Sequence, residues 1–311
     1  MDNKQITNTI LMIRPANFGY NSQTAENNTF QSNSKNDSIS KIAGMAIMEF
    51  DDMVNLLRSK GIEIIVINDS KTPVKPDAIF PNNWISFHGD GAVITYPMFA
   101  PNRRSERRVE IIEKIEESYK VTRRYTFEHY EEEEMYLEGT GSMLLDRENK
   151  IVYACLSHRT DIRLLDKFCV LRGWKKVVFH AVDQIDKPIY HTNVMMAIGL
   201  DFAVVCTECI KNEEELAALT NSLIDTNKTI IDISYKQVKS FAGNMLQVEN
   251  KDKETFLIMS KSAHDSLSKK QINVLSGRNE IVVIDIPTIE YYGGGSVRCM
   301  MAEMFLAKNE D

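Results

Sequence analysis

Apolar positions along the chain follow two alternating rhythms. Spacing of three and four residues over Ile39–Lys60, Arg104–Ser118, Asp161–Arg172, Glu213–Thr226 and Ala263–Leu275 predicts amphipathic helices. Each is followed by a strand-like run: Glu63–Ile67, Tyr119–Tyr125, Lys176–Phe179, Thr229–Ile233 and Ile281–Ile286. Paired apolar runs about a turn predict hairpins at Trp84–Pro97, Ser142–Leu156, Val194–Cys206 and Met245–Met259. Two further strand-like runs, Ile6–Ile13 and Val297–Phe305, stand alone near the ends.

The hairpins recur at intervals of roughly 50 residues, the mark of a repeat architecture. Helix, strand, hairpin is the unit, five times over. One such unit cannot bury its own apolar face, so the units should stack into a radial array closed on itself. Closure needs a partner for Val297–Phe305, and Ile6–Ile13 is the free strand that supplies it. The expectation is one pseudo-fivefold α/β domain over residues 1–311 rather than two domains. Asn17–Ser40 breaks the rhythm: it is rich in Asn, Ser, Gln and Thr and reads as a polar surface loop, a candidate lid.

Composition narrows the function classes. Lys and Arg number 37 against 44 Asp and Glu, a net charge of −7, which argues against a binder of nucleic-acid backbones. No apolar run reaches the ~20 residues of a membrane helix. Met1–Ile13 lacks the pattern of a signal peptide. Five cysteines are too sparse for a disulfide framework. A cytoplasmic protein with no membrane or nucleic-acid partner is expected, and homo-oligomerisation is left open.

Equivalent positions of a closed array lie at one end of its axis, so the residues at the start of each hairpin converge. They are Asp77, Asn82 and Asn83 in the first unit, Glu138 in the second, His191 in the third, Asn244 in the fourth and Cys299 in the fifth. A cysteine, a histidine and a carboxylate from separate units are the parts of nucleophilic catalysis. Thiolate rather than thiol attacks, and a neighbouring imidazolium would favour it. Gly293-Gly294-Gly295 would let backbone approach a substrate closely.

Four motifs in order, Phe80-Pro81-Asn82-Asn83-Trp84, Leu137-Glu138-Gly139-Thr140-Gly141, His191-Thr192-Asn193 and the glycine run into Cys299, resemble the guanidine-modifying (pentein) superfamily. That group includes arginine deiminases, dimethylarginine hydrolases and amidinotransferases. The resemblance covers nearly the whole chain and is nearest the amidinotransferase-like, citrulline-utilization branch. It implies a five-bladed α/β propeller, a small amino-acid substrate and no cofactor or metal. Cys299 would attack a guanidinium or ureido carbon, His191 would protonate the leaving amine and then activate water, and Glu138 would orient the substrate nitrogens. Asp77 matches a carboxylate that contacts the head group, and Arg159 an arginine that binds the amino-acid carboxylate.

Departures from the pattern bear on the substrate. Asn82, Asn83 and Asn193 stand where arginine-processing relatives carry acids, and Gly139-Thr140-Gly141 replaces Gly-Gly-Asp. Burying a guanidinium without paired carboxylates is costly, whereas a neutral ureido group needs donors and acceptors, which asparagine offers. Asn83 and Asn193 are therefore candidate substrate contacts, and citrulline is the expected substrate. Arginine or methylarginine hydrolysis and amidino transfer are the alternatives within enzymes; a non-catalytic binding module is the alternative outside them.

Other features read as structural. Cys206 and Cys209 share a Cys-x-x-Cys spacing in an apolar strand with no second pair to hold zinc. Cys155, Cys169 and the methionines read as core. Arg103, Arg104, Arg107 and Arg108 read as a solvated face at a helix start, and Glu131–Glu134 as a solvated acidic turn.

Overall fold

The computed structural model describes residues 4–33 and 38–309. The unit seen in the sequence becomes a three-stranded sheet: an antiparallel pair, a helix, and a third strand parallel to the second. Strands β1 (Thr9–Arg14) and β2 (Glu63–Asn68) pair in parallel across the helix Ile39–Ser59. The next sheet is β3 (Ile85–Phe87), β4 (Ala92–Thr95) and β5 (Arg123–Thr126). It is followed by β6 (Leu144–Asp146), β7 (Ile151–Cys155) and β8 (Lys175–Phe179). Then come β9 (Met196–Ile198), β10 (Phe202–Val205) and β11 (Thr229–Asp232), and β12 (Leu246–Glu249), β13 (Thr255–Ser260) and β14 (Glu280–Ile284). The chain ends by returning to the first sheet, where β15 (Ala302–Glu303) pairs antiparallel with β1 in the register Ile10 to Glu303. The N-terminal strand thus supplies the missing partner, as the spacing predicts.

Neighbouring sheets meet through their first strands. β15 lies against β3, β6 against β9, and β9 against β12. Glu249 donates its backbone N–H to Thr7 O, and Gln5 donates to Leu145 O, so the N-terminal segment bridges sheets far apart in sequence. The first two strands of each sheet are buried on both faces, which is why they read as continuous apolar runs, whereas the third strands β2, β5, β8, β11 and β14 carry exposed or half-buried positions.

The helices fill the outer layer. Ile39–Ser59 buries Ile42, Ala46, Phe50, Met53, Val54 and Leu57 on one stripe, and Ser38 caps its first turn by accepting from Lys41 N. From its middle, Glu49 accepts hydrogen bonds from the N–H groups of Thr288 and Ile289, both at 2.9 Å. That anchors the first turn of the helix Pro287–Gly293, which leads into the glycine run and Cys299. Among the described residues no helix is long and apolar enough to cross a membrane.

Several sequence-based boundaries need correction. The expected helix over Ala263–Leu275 is two, Lys261–Ser266 and Lys269–Ser276, because Ser268 and Gln271 form a capping box that starts a new helix. Arg104–Ser118 divides into a 3₁₀ turn, Pro101–Glu106, and a helix, Val109–Glu116. The run Tyr119–Tyr125 joins a sheet only at its end, where the strand is Arg123–Thr126, and Tyr119 makes an isolated bridge to Lys308. Of Val297–Phe305, only Ala302 and Glu303 are strand. The residues before them turn, and that turn presents Cys299.

The segment Asn17–Ser40 is not a plain surface loop. Residues 34–37 lie outside the described residues. In the rest, Asn21, Thr24 and Asn28 are buried, a short helix spans Ser22–Ala25, and the polar side chains turn inward. Cys155, Cys169, Cys206 and Cys209 are all buried, in keeping with a core role.

Candidate active site

Close backbone packing brings the motifs together. Gly139 has φ +47, and a Cβ there would sit 2.3 Å from Asn82 O, so only glycine lets the Glu138 turn lie against Asn82-Asn83. A Cβ at Gly141 would lie 2.5 Å from Asn83 Nδ2 and 2.8 Å from His191 Nδ1. These three residues from three repeats are therefore in mutual contact range. The C-terminal glycines act differently from the expectation. Gly293 and Gly295 each approach the Phe80 ring, and Gly294 (φ +60) approaches Gln31 and Asn28. They pack against protein rather than exposing backbone to a substrate.

Glu138 is the hub, with no exposed surface. Its Oε1 accepts from Phe99 N at 2.9 Å, and its Oε2 accepts from His191 Nε2 at 2.8 Å and Arg159 Nη1 at 3.4 Å. Burial alone would raise this carboxyl. The Arg159 charge, the His191 hydrogen bond and the Arg103 charge outweigh it and hold Glu138 well below the usual carboxylate range. An ionised carboxylate only accepts, so His191 Nε2 carries the proton and Nδ1 keeps a lone pair.

His191 is not an imidazolium in the free protein. Burial pulls it down to about 4, the hydrogen bond to Glu138 recovers part of the shift, and the charges of Arg159 and Arg103 add to the depression. A neutral imidazole beside a carboxylate is a base, not the cationic neighbour expected for Cys299. The sign follows from linkage. The unfolded chain takes up this proton near pH 6.5 and the folded protein only near 4, so folded stability falls as pH drops through that window. Relative to His191→Gln, the wild type should lose about 3 kcal/mol between pH 7 and pH 4. Denaturant unfolding of both proteins at the two pH values measures it, and a pH-independent difference would contradict the buried neutral imidazole.

Arg103, read from the sequence as part of a solvated face, is 2% exposed and central. It clamps Glu106 through Nε and Nη2, each at 2.9 Å, and donates from Nη1 to Asn83 Oδ1 at 2.9 Å. Its Nε lies 3.7 Å from Asp77 Oδ2, and its Nη1 lies 4.0 Å from Glu138 Oε2. Burial pushes Glu106 up to about 7 despite that clamp, and pushes Asp77 up despite Arg103 and Asn21. The neighbouring expectations also change: Arg107 and Glu131 pair at 2.6 Å, both largely shielded, and Glu131 accepts from Met98 N.

The other candidates fall around this core. Asp77 Oδ2 accepts from Asn21 and Thr24, while its buried Oδ1 has no protein partner. Asn83 leaves Nδ2, and Asn193 leaves Oδ1, buried and unpartnered. Asn82 donates from Nδ2 to Thr140 Oγ1 and leaves its Oδ1 buried and unpartnered as well. Asn193 donates to Cys299 Sγ at 3.5 Å. Arg159 is buried, lies over the Tyr190 ring at 4.7 Å, and donates to Asn27 Oδ1 and Thr24 O from the polar segment. A cavity of about 270 Å³ opens between Asn27, Phe99, His158 and Tyr190, the residues flanking that arginine. All seven candidates are buried: Asp77, Asn83, Glu138, Arg159 and His191 are linked through Arg103, Cys299 and Asn193 form a second pair, and Tyr190, whose ring lies beside Arg159 and His191 and whose hydroxyl feels the Cys299 charge, stands between the two. Sequence reasoning missed Arg103, Glu106, Asn21 and Asn27. Among the described residues no group of three or more His, Cys, Asp and Glu side chains is arranged to hold a metal ion.

Five repeated sheets with a buried cysteine, histidine and carboxylate cluster define the class of guanidine-modifying enzymes, the pentein superfamily, whose hydrolases act on C–N bonds of guanidino compounds. The family described as N,N dimethylarginine dimethylhydrolase, eukaryotic, matches residues 14–306, and the chain belongs to it. Among solved structures, the N-terminal domain of a variant of ArgZ, covalently bound to a reaction intermediate, matches with a TM-score of 0.73 and 15% identity, covering 95% of this chain and 97% of that one. Whole ArgZ, an arginine dihydrolase from the ornithine-ammonia cycle in cyanobacteria, matches with the same score and identity over 94% of this chain, which spans 40% of that longer chain. A dimethylarginine dimethylaminohydrolase variant in an adduct with S-methyl-L-thiocitrulline matches with a TM-score of 0.64 and 14% identity, covering 96% and 100%. These likenesses show a shared fold. No curated protein matches the chain by sequence.

Proposed function

We propose that the protein is a cysteine-dependent hydrolase of citrulline, built as one five-bladed α/β propeller over residues 1–311. The carrying observation is the set of unpartnered atoms. Asn83 has committed its oxygen to Arg103 and offers only N–H donors, which match a ureido oxygen and oppose a guanidinium N–H. Asp77 Oδ1 and Asn193 Oδ1 offer acceptors for ureido N–H groups. Asp77, Glu106 and Glu138 each have an arginine within 4.0 Å, so these carboxylates are already paired before a substrate enters.

In this reading Cys299 passes its thiol proton to His191 Nδ1 and attacks the ureido carbon; the resulting imidazolium gives that proton to the departing nitrogen, so that the C–N bond breaks, ammonia leaves and an S-linked thiocarbamate remains. His191 Nδ1 then takes a proton from water, which hydrolyses the intermediate to a carbamic acid that splits into ornithine and carbon dioxide. Glu138 fixes the imidazole tautomer. Arg159 takes the amino-acid carboxylate in exchange for Asn27, and the polar segment 17–40, whose Asn21, Thr24 and Asn27 already reach the site, serves as the lid.

A second reading keeps the cysteine chemistry and changes the head group. Three buried carboxylates face two buried arginines, an excess of negative charge that favours arginine or methylarginine. Purified protein given citrulline and arginine in parallel, with ornithine, citrulline and ammonia assayed, separates the two. Ornithine from citrulline is the expected result, absent in Cys299→Ser. Turnover of arginine with citrulline untouched would overturn the reading of Asn83.

A further inference from the structure

Buried cysteines in this protein fall into two electrostatic situations. Cys155 donates its S–H to Ile189 O and Leu156 O, and burial pushes its thiol up to about 12, so it stays protonated. Cys299 is bonded the other way round, accepting rather than donating. Its Sγ receives N–H donors from Asn244 Nδ2 at 3.3 Å and Asn193 Nδ2 at 3.5 Å, and among the described residues it has no acceptor for an S–H. A thiol is a weak acceptor and a thiolate a strong one, so two converging amide donors suit the anion. The neutral His191 leaves that task to other groups.

Asn244 is held for it. Its second amide hydrogen goes to Asn193 O at 2.9 Å, and its Oδ1 accepts from Arg298 N at 3.0 Å, which fixes the side chain between the short helix Thr192–Met195 and the turn that presents Cys299. The turn that carries it is tight: Asn244 N donates to Phe241 O at 2.8 Å, and a Cβ on Gly243 would lie 2.5 Å from Val194 O. Phe241 has φ +61, a left-handed conformation that is costly for an aromatic residue and is retained where the surroundings enforce it. Phe30, from the polar segment, packs on it with ring centroids 5.3 Å apart.

We propose that Asn244, with Asn193, forms an amide cradle that stabilises the Cys299 thiolate, making Asn244 a catalytic residue for the proposed reaction. The proposal rests on Cys299 being the nucleophile. Removing one donor to a charged acceptor should move thiolate formation by about one pH unit.

The test is the rate of Cys299 alkylation by iodoacetamide, a neutral probe, across pH, read by peptide mass spectrometry. The proteins are wild type, Asn244→Ala and Asn244→Asp. The alanine variant should need about one pH unit more for half-maximal labelling, roughly a tenfold lower rate below that midpoint. The aspartate variant keeps the bond from Arg298 N but sets a carboxylate beside the sulfur, and should shift further in the same direction. Superimposed profiles for wild type and Asn244→Asp would overturn the cradle while leaving Cys299 as nucleophile. A folded wild type that never labels would overturn the proposed function itself. If Asn244→Ala does not fold, the isosteric Asn244→Asp profile decides alone.

Discussion

Replacing Cys299 with serine should leave a folded protein whose turnover falls at least a thousandfold. Serine keeps the volume but not the nucleophile: at neutral pH an alcohol holds its proton far more firmly than a thiol, and His191, a base of about 4, is too weak to take it. Cys299 accepts from Asn193 and Asn244 and makes no other side-chain hydrogen bond among the described residues, so the stability cost should be small. The check is steady-state product formation alongside a denaturant melt. Loss of activity with an unchanged melt is the expected pair. A variant that turns over at a rate near wild type would remove the cysteine from the chemistry.

Arg103→Met should be among the most destabilising substitutions, by about 3–5 kcal/mol, because it strips the cation from a buried cluster rather than replacing the cluster. Glu106 loses both ends of its clamp, Asp77 loses its nearest charge, and Asn83 Oδ1 loses its donor. Activity should fall by roughly a hundredfold or more, since a freed Asn83 can rotate its amide and present the wrong atom to the substrate. Adding Glu106→Gln to Arg103→Met removes the stranded carboxylate and should restore part of the stability without restoring turnover. Urea unfolding of the two variants and kcat/KM give both readings. A single variant within about 1 kcal/mol of wild type would show that Arg103 does not carry the charge of the site.

The architecture was legible because it is periodic. The four hairpins, the helix stripe of Ile39–Ser59 and the return of the chain end onto Ile10–Leu11 follow from apolar spacing that tertiary packing does not disturb. Boundaries failed where local polar bonds outvote spacing. Ser268 and Gln271 split a helix through a capping box that was written in the sequence as Ser-x-x-Gln. The candidate site was legible as a set of hairpin-start residues, since topology alone brings those positions together. Its supporting charges were not. Arg103 sits in a run with Arg104, Arg107 and Arg108 that looks solvated; its one available sign was Glu106, three residues on, positioned to pair with it. Asn21 and Asn27 carry no apolar pattern, because they are held in place by bonds to Asp77 and Arg159 rather than by hydrophobic packing.

The most direct measurement of the covalent mechanism is mass spectrometry of wild-type protein quenched in acid during turnover, first with citrulline and then with arginine. The account predicts an adduct on the Cys299 peptide equal in mass to citrulline less one ammonia, absent from Cys299→Ser. Steady product formation with no adduct on Cys299, or with the adduct on another residue, would contradict it.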